Sequence, residues 1–262
     1  MSHTDSVAAG PRGHEGPGGW EEASLSGPAD VARTFMEMTT AIADGAETVE
    51  VCTRLAHRCA ALLPVAAAGI LLRDPAGSLQ VIGASSPSAH LLDLFQVQND
   101  EGPCLECLAS GEAVADVGLA DSGRWPRFSA LARQQDFSAV YALPLQSRDV
   151  TVGTLNLFAR WPLPEERLVI AQALADIATL SLLHVDARVD STLLIQRIRL
   201  AVESRNTLDQ ARGMVAERFG IDADAALTRL EEAAEKTGLP LTEVATAVVE
   251  RDAASPALAH LS

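Results

Sequence analysis

No run of about 18 consecutive apolar residues occurs in the 262-residue chain, so the sequence offers no helix to cross a bilayer. The first residues hold no basic segment followed by an apolar one, so no secretory signal is expected and the chain reads as cytoplasmic. Cysteine is scarce. The four present, Cys52, Cys59, Cys104 and Cys107, read as thiols rather than as a disulfide framework when no export signal precedes them. Lysine is nearly missing, since Lys236 is the only one among twenty basic residues. A nucleophile elbow, a Walker loop and a recognisable metal motif are missing too, and the sequence is not read as that of an enzyme. Cys52, His57 and Cys59 lie close together, but on a helix His57 points about 100° or more away from each cysteine, which disfavours zinc.

What is abundant is acid. The formal net charge of -15 argues against a generic binder of polyanions, though it leaves room for a local site. The charge is uneven. Residues 1–187 carry 11 basic and 23 acidic groups, residues 188–218 carry six arginines and four acids, and residues 219–251 carry three basic and seven acidic groups. The one net-basic stretch is 188–218.

Length gives a prior of two domains, and with 48% hydrophobic residues each can bury a core. Residues 1–28 are rich in Gly, Pro and Ser and are expected to be disordered. Apolar spacing from Asp30 to Leu63 predicts two helices broken near Asp44 and Gly45. "VAAAGILLR" and "GSLQVIGAS" around the turn "DPAG" read as a hairpin, and "SAVYALPLQ" with "VTVGTLNLFAR" as the clearest strand pair. Between them come short helices near "SAHLLDLFQ", "PCLECLAS" and "PRFSALARQQ" and a strand at "EAVADV". This order predicts an α+β unit, an antiparallel sheet with helices packed on it. After Pro164 the chain turns helical as far as Phe219, with a three-four seam through Ile170, Leu174 and Ile177, then Leu194, Ile198 and Ala201, suited to a partner helix. No internal repeat is visible.

Leu208, Ala211, Val215 and Phe219 share one helical face and read as core. Gly220 is expected to end that helix and Asp222 to cap a second, which stops at Gly238; a third follows Pro240. The result is a three-helix bundle on a helical stalk. Gly213 stands inside the first helix, where glycine costs about 1 kcal/mol relative to alanine, and it lies off the core face. Beside it run Arg205, Asp209, Arg212 and Ala216. Small side chains flanked by two arginines seven residues apart make a surface that another backbone can approach, a geometry suited to phosphates and exposed base edges. The spacing of Arg205 and Asp209 also suits an ordinary intrahelical pair.

The stretch from about Leu194 to Glu250 resembles the ANTAR domain, the RNA-binding module of transcription antitermination regulators. Ser204-Arg205, Gln-Ala-Arg-Gly at 210–213, Arg-Phe-Gly at 218–220 and Leu-Thr-Glu-Val-Ala at 241–245 carry the likeness, in that order. The resemblance implies that a dimer grips two hairpin loops of nascent RNA and keeps a terminator from forming. It implies RNA contacts at Arg205, Gln210, Ala211, Arg212 and Gly213. The unit over residues 29–185 resembles a GAF domain, through "DEGPCLECLASGEAV", "RWPRF" and "VYALPLQ" with "TVGTLNLF". These motifs are similar to those of GAF modules paired with ANTAR. They imply a sensing role with a small-molecule ligand as candidate, and they assign no bilin, haem or cyclic nucleotide, so the cofactor stays unknown.

The expected organisation is therefore a disordered segment over 1–28, a GAF-like sensor over 29–185, a helical stalk and ANTAR bundle over 186–252 and a flexible tail over 253–262, dimeric through the stalk. Two other readings stay open. A small helical bundle also suits a DNA-binding regulator. A thiol redox sensor is the other: Pro103 places Cys104 at a helix N-terminus, where the dipole favours thiolate, and Cys107 could close a reversible disulfide. Against it stand the missing βαβ context, the habit of cysteine to be buried, and Glu106 between the two. Trp125, Arg127 and Phe128 suit core and loop anchors better than a pocket, and His90 suits a helix surface.

Overall fold

The computed structural model describes residues 27–74, 76–147, 150–183, 191–251 and 255–261, with backbone alone for 183 and 191–198. The segment expected to be disordered falls, up to residue 26, outside the described residues. Helix α1 (Pro28–Ala43) opens on a proline in its first turn, and α2 (Thr48–Leu62) follows the break at Asp44 and Gly45. Strands β1 (Ala67–Arg73) and β2 (Leu79–Ala84) form the first hairpin, and Asp74 Oδ1 accepts from the backbone N–H groups of Ala76 and Ser78 to close its turn. Then come α3 (Pro87–Asn99), α4 (Pro103–Ser110), β3 (Val114–Asp116), α5 (Pro126–Gln134), β4 (Ala139–Ser147) and β5 (Val150–Ala159). The strand expected at "EAVADV" is shorter than the sequence suggested.

The five strands pair antiparallel in the order β2-β1-β5-β4-β3. Helices cover both faces. On one, α1, α2 and α6 (Glu165–Leu183) bury Leu55, Ile70, Leu155 and Leu174; on the other, α3, α4 and α5 bury Leu92, Phe128, Val140 and Phe158. Nearly continuous burial along β4 and β5 follows from this double cover. The single tyrosine, Tyr141, accepts from the backbone N–H of Leu163 at 2.7 Å, fixing the chain between β5 and α6.

Helix α7 (Ser191–Phe219) takes part in two cores. Ala201 is buried among the residues of the sheet unit, while Leu208, Ala211 and Val215 are buried against α8 (Ala223–Thr237) and α9 (Leu241–Glu250). The expected boundary at residue 186 lies outside the described residues; beyond it Ala201 and Val202 of α7 still pack on the sheet unit. The segment 253–262, expected to be a flexible tail, departs from that expectation over its described part. Ser255 and Pro256 start a short helix α10 (Pro256–Ala259), and Ala257 and Leu261 are buried in the bundle. A capping serine, a first-turn proline and two apolar side chains suffice to fold it back.

Candidate functional site

The stripe that carries Arg205, Asp209 and Arg212 runs along α7 on the side turned toward the sheet unit. Arg205 is 5% exposed. Its Nε donates to Asp209 Oδ2 at 2.9 Å, four residues on, and its Nη1 donates to the carbonyl of Ile82 at 3.2 Å. That carbonyl belongs to an edge strand. The register between β1 and β2 shifts there, pairing Ile70 with Gly83 and Leu71 with Val81, so Ile82 stands opposite no residue of β1. The guanidinium satisfies a buried acceptor with a charged donor, the stronger kind of hydrogen bond. One residue earlier, Ser204 Oγ donates to Glu47 Oε2 at 3.1 Å, a second link from α7 to the sheet unit.

Arg212 is held differently. Its Nε donates to the carbonyl of Ala223 at 2.6 Å and its Nη2 to Asp224 Oδ1 at 2.8 Å, so it clasps the first turn of α8. That turn exists because Gly220 adopts φ +63° and Asp222 Oδ1 caps the backbone N–H of Ala225. Arg212 also lines a cleft of about 320 Å³ between the two units, with His57, His90 and Leu91 on one wall and Asp224 and Glu231 on the other. Burial lowers the pKa of both histidines; near His57 Asp224 works against burial and Arg212 with it, and near His90 Arg205 also adds to the lowering. His90 is thus no plain helix-surface residue. It is half-buried and its Nδ1 finds no partner among the described residues.

The remaining candidates divide. Gln210 and Gly213 are exposed, and beyond its chain neighbours and the local helix backbone no described atom stands within 4 Å of where a Cβ on Gly213 would lie. Nothing within the described chain requires glycine there. Ala211 is fully buried among the bundle residues and Arg205 is buried against β2, so in this arrangement neither meets solvent.

Cys104 and Cys107 are both buried and free, and their thiols are shifted in the direction opposite to the one the helix N-terminus suggested. Burial pushes Cys107 up to about 12 and Cys104 well above the usual thiol range, with Asp93 and Cys107 adding to the latter. The dipole loses because α4 begins inside the core, where the backbone N–H of Cys104 is already taken by Gln96 Oε1 at 2.9 Å. The same Gln96 belongs to a buried polar cluster that no motif in the sequence announces. Asp93 Oδ1 accepts from Asn156 Nδ2 at 2.8 Å and from Gln96 Nε2 at 3.3 Å, in space left by Gly69, whose absent Cβ would collide with Asp93 Oδ2. Burial raises the Asp93 carboxyl well above its ordinary range, while the hydrogen bonds from Asn156 and Gln96 work against that shift. Among the described residues no group of His, Cys, Asp or Glu is arranged to hold a metal, and no helix is long and apolar enough to cross a membrane. Trp125 and Phe128 meet edge to face in the core, and the Arg127 guanidinium lies over Phe95, as expected of anchors.

The sheet unit matches the family model described as GAF domain over residues 46–182, more than half of the chain. The chain belongs to the GAF domain family. Residues 196–249 match the model of the ANTAR domain, which takes in all but the first residues of α7 and the whole of α8. Both are regulatory domains. Similar solved structures include a GAF domain/HD domain protein from Geobacter sulfurreducens, at 17% identity over 61% of this chain and 98% of that one, with a TM-score of 0.45. A GAF domain of a phosphoenolpyruvate-protein phosphotransferase from Coxiella burnetii shows 14% identity over 61% and 96%, TM-score 0.48. The free methionine-R-sulfoxide reductase of Neisseria meningitidis, solved with its substrate, shows 16% over 68% and 97%, TM-score 0.47. No curated protein matches the chain.

Proposed function

We propose that the protein is an RNA-binding antitermination regulator in which the GAF domain modulates an ANTAR domain that takes hairpin loops of nascent RNA. The observation that carries this reading is the open surface at Gly213. An exposed glycine in mid-helix destabilises the helix without any packing return inside the described chain, and it is flanked by exposed Gln210 and by Arg212 within the ANTAR match. A surface that a backbone can approach while a guanidinium reaches past it suits a looped-out base and its phosphate. The net-basic stretch 188–218 in an acidic chain supports the same surface. Arg205 and Ala211 belong to the proposed contact set by their place in the motif, Ala211 as the small residue that lets α7 pack closely. Two copies joined through the stalk would recover affinity by effective concentration.

The test is binding of a tandem-hairpin RNA by the wild type and by Arg212→Ala over a salt series, with duplex DNA as competitor. The reading expects RNA to be preferred and the variant to lose at least tenfold in affinity while its fold is kept. Preference for duplex would favour a DNA-binding regulator, and equal binding by both proteins would remove Arg212 from the site. The redox reading draws no support from the thiols, whose burial opposes the thiolate.

A further inference from the structure

Arg205 and Arg212 stand on the face of α7 that the GAF domain covers. We infer that the docking of Arg205 on the Ile82 carbonyl is an internal latch that competes with RNA for the same arginine, so that the GAF domain and RNA hold the ANTAR helix in mutually exclusive ways. The inference rests on the proposed RNA-binding reading and adds the means of its regulation.

Three features carry it. First, a guanidinium that is 5% exposed and already shared between Asp209 and Ile82 cannot also meet a phosphate. Second, the acceptor belongs to an irregular point on an edge strand, not to the regular ladder, so undocking breaks no strand pairing and leaves Ile82 a carbonyl that water can solvate. Opening therefore costs the docked contacts and no part of the sheet. Third, the docked surface extends beyond one bond. Ser204 bonds Glu47, and the cleft that holds Arg212 is closed on its other side by His57, His90 and Leu91 of the GAF domain. RNA therefore shifts the population toward the undocked form by its differential affinity for that form, and a signal that weakens docking raises RNA affinity without touching the RNA site.

The experiment uses the full chain with spin labels at two exposed positions, Val117→Cys on the GAF domain and Lys236→Cys on α8. The native cysteines are buried, so labelling is selective. Distances are read in samples diluted with unlabelled chain. The latch predicts one narrow distance without RNA, a broad or longer one in Arg205→Ala without RNA, and the same broadening in the wild type with saturating tandem-hairpin RNA. Glu47→Ala removes the acceptor of Ser204 from a residue that makes no capping bond to α2, and it should raise RNA affinity about fivefold, the loss of one ordinary hydrogen bond. A narrow distance that survives RNA binding, together with unchanged affinity in Glu47→Ala, overturns the competition. A narrow distance in Arg205→Ala overturns the latch irrespective of RNA. If Arg212→Ala binds RNA as the wild type does, the failure lies in the reading of the site, and the distance in Arg205→Ala still decides the docking.

Discussion

Arg205 and Arg212 stand seven residues apart on one stripe of one helix, with the same side chain and an acidic partner each, and the structure uses them in different ways. Arg205 is sunk against an edge strand of the GAF domain, where its charge satisfies a carbonyl 123 residues away in sequence. Arg212 stays within the helical bundle and ties α7 to the start of α8. A motif on a helix therefore fixes which residues share a stripe, while the partner that each one meets is set by what packs on that turn of the helix. For Arg205 that partner is another domain.

Substitutions along the helix separate the two roles by the size of their effect. The largest effect is expected at the core behind the stripe. Leu208→Ala should cost about 2–5 kcal/mol, as buried leucine truncations do, with amide protection lost over α8 and α9 well before β4 and β5. Equal loss in both domains would mean that α7 couples the two cores into one folding unit. Arg205→Ala should cost about 1.5–3 kcal/mol, the range for a hydrogen bond to a charged group, and hydrogen exchange should quicken along β2 near Ile82. Should β2 exchange stay unchanged, the buried contact contributes nothing. Gly213→Ala is expected to stabilise the helix by about 1 kcal/mol, since the added Cβ meets nothing, and yet to weaken RNA binding. Stability and affinity rising together would show that the open surface is not a contact. The smallest effect belongs to Arg212 and Asp224, whose coupling in a double-mutant cycle should fall within about 0.2–1 kcal/mol, because Asp224 is 57% exposed. A much larger coupling would make Arg212 a structural residue first.

Much of the fold was legible in the sequence because its signals are local. Turn chemistry at Asp74 and Gly77, the proline at the start of α4, and the caps at Gly220, Asp222 and Gly238 all act within a few residues. The apolar face of Leu208, Ala211 and Val215 likewise follows from helical spacing. The site was legible only as a stripe. That Arg205 finds Ile82, that His90 faces a cleft between domains, and that Asp93 meets Asn156 across a glycine are contacts between distant segments, for which a single sequence carries no periodic signal. Cys104 is instructive in a different way. Pro103 marks the helix N-terminus, but nothing local shows that it is buried, and burial outweighs a helix dipole where the terminus lies inside the core.

Because α7 continues unbroken from Ala201, seated in the GAF core, to Phe219 at the end of the bundle, it can act as a rigid lever. At 1.5 Å per residue that arm is about 27 Å long, so a tilt of roughly 10° at its seated end sweeps the far end through about 5 Å, close to the spacing of one helical turn. A change in the GAF interior too small to alter its own fold would be enough to displace the far end of α7 and the bundle packed on it.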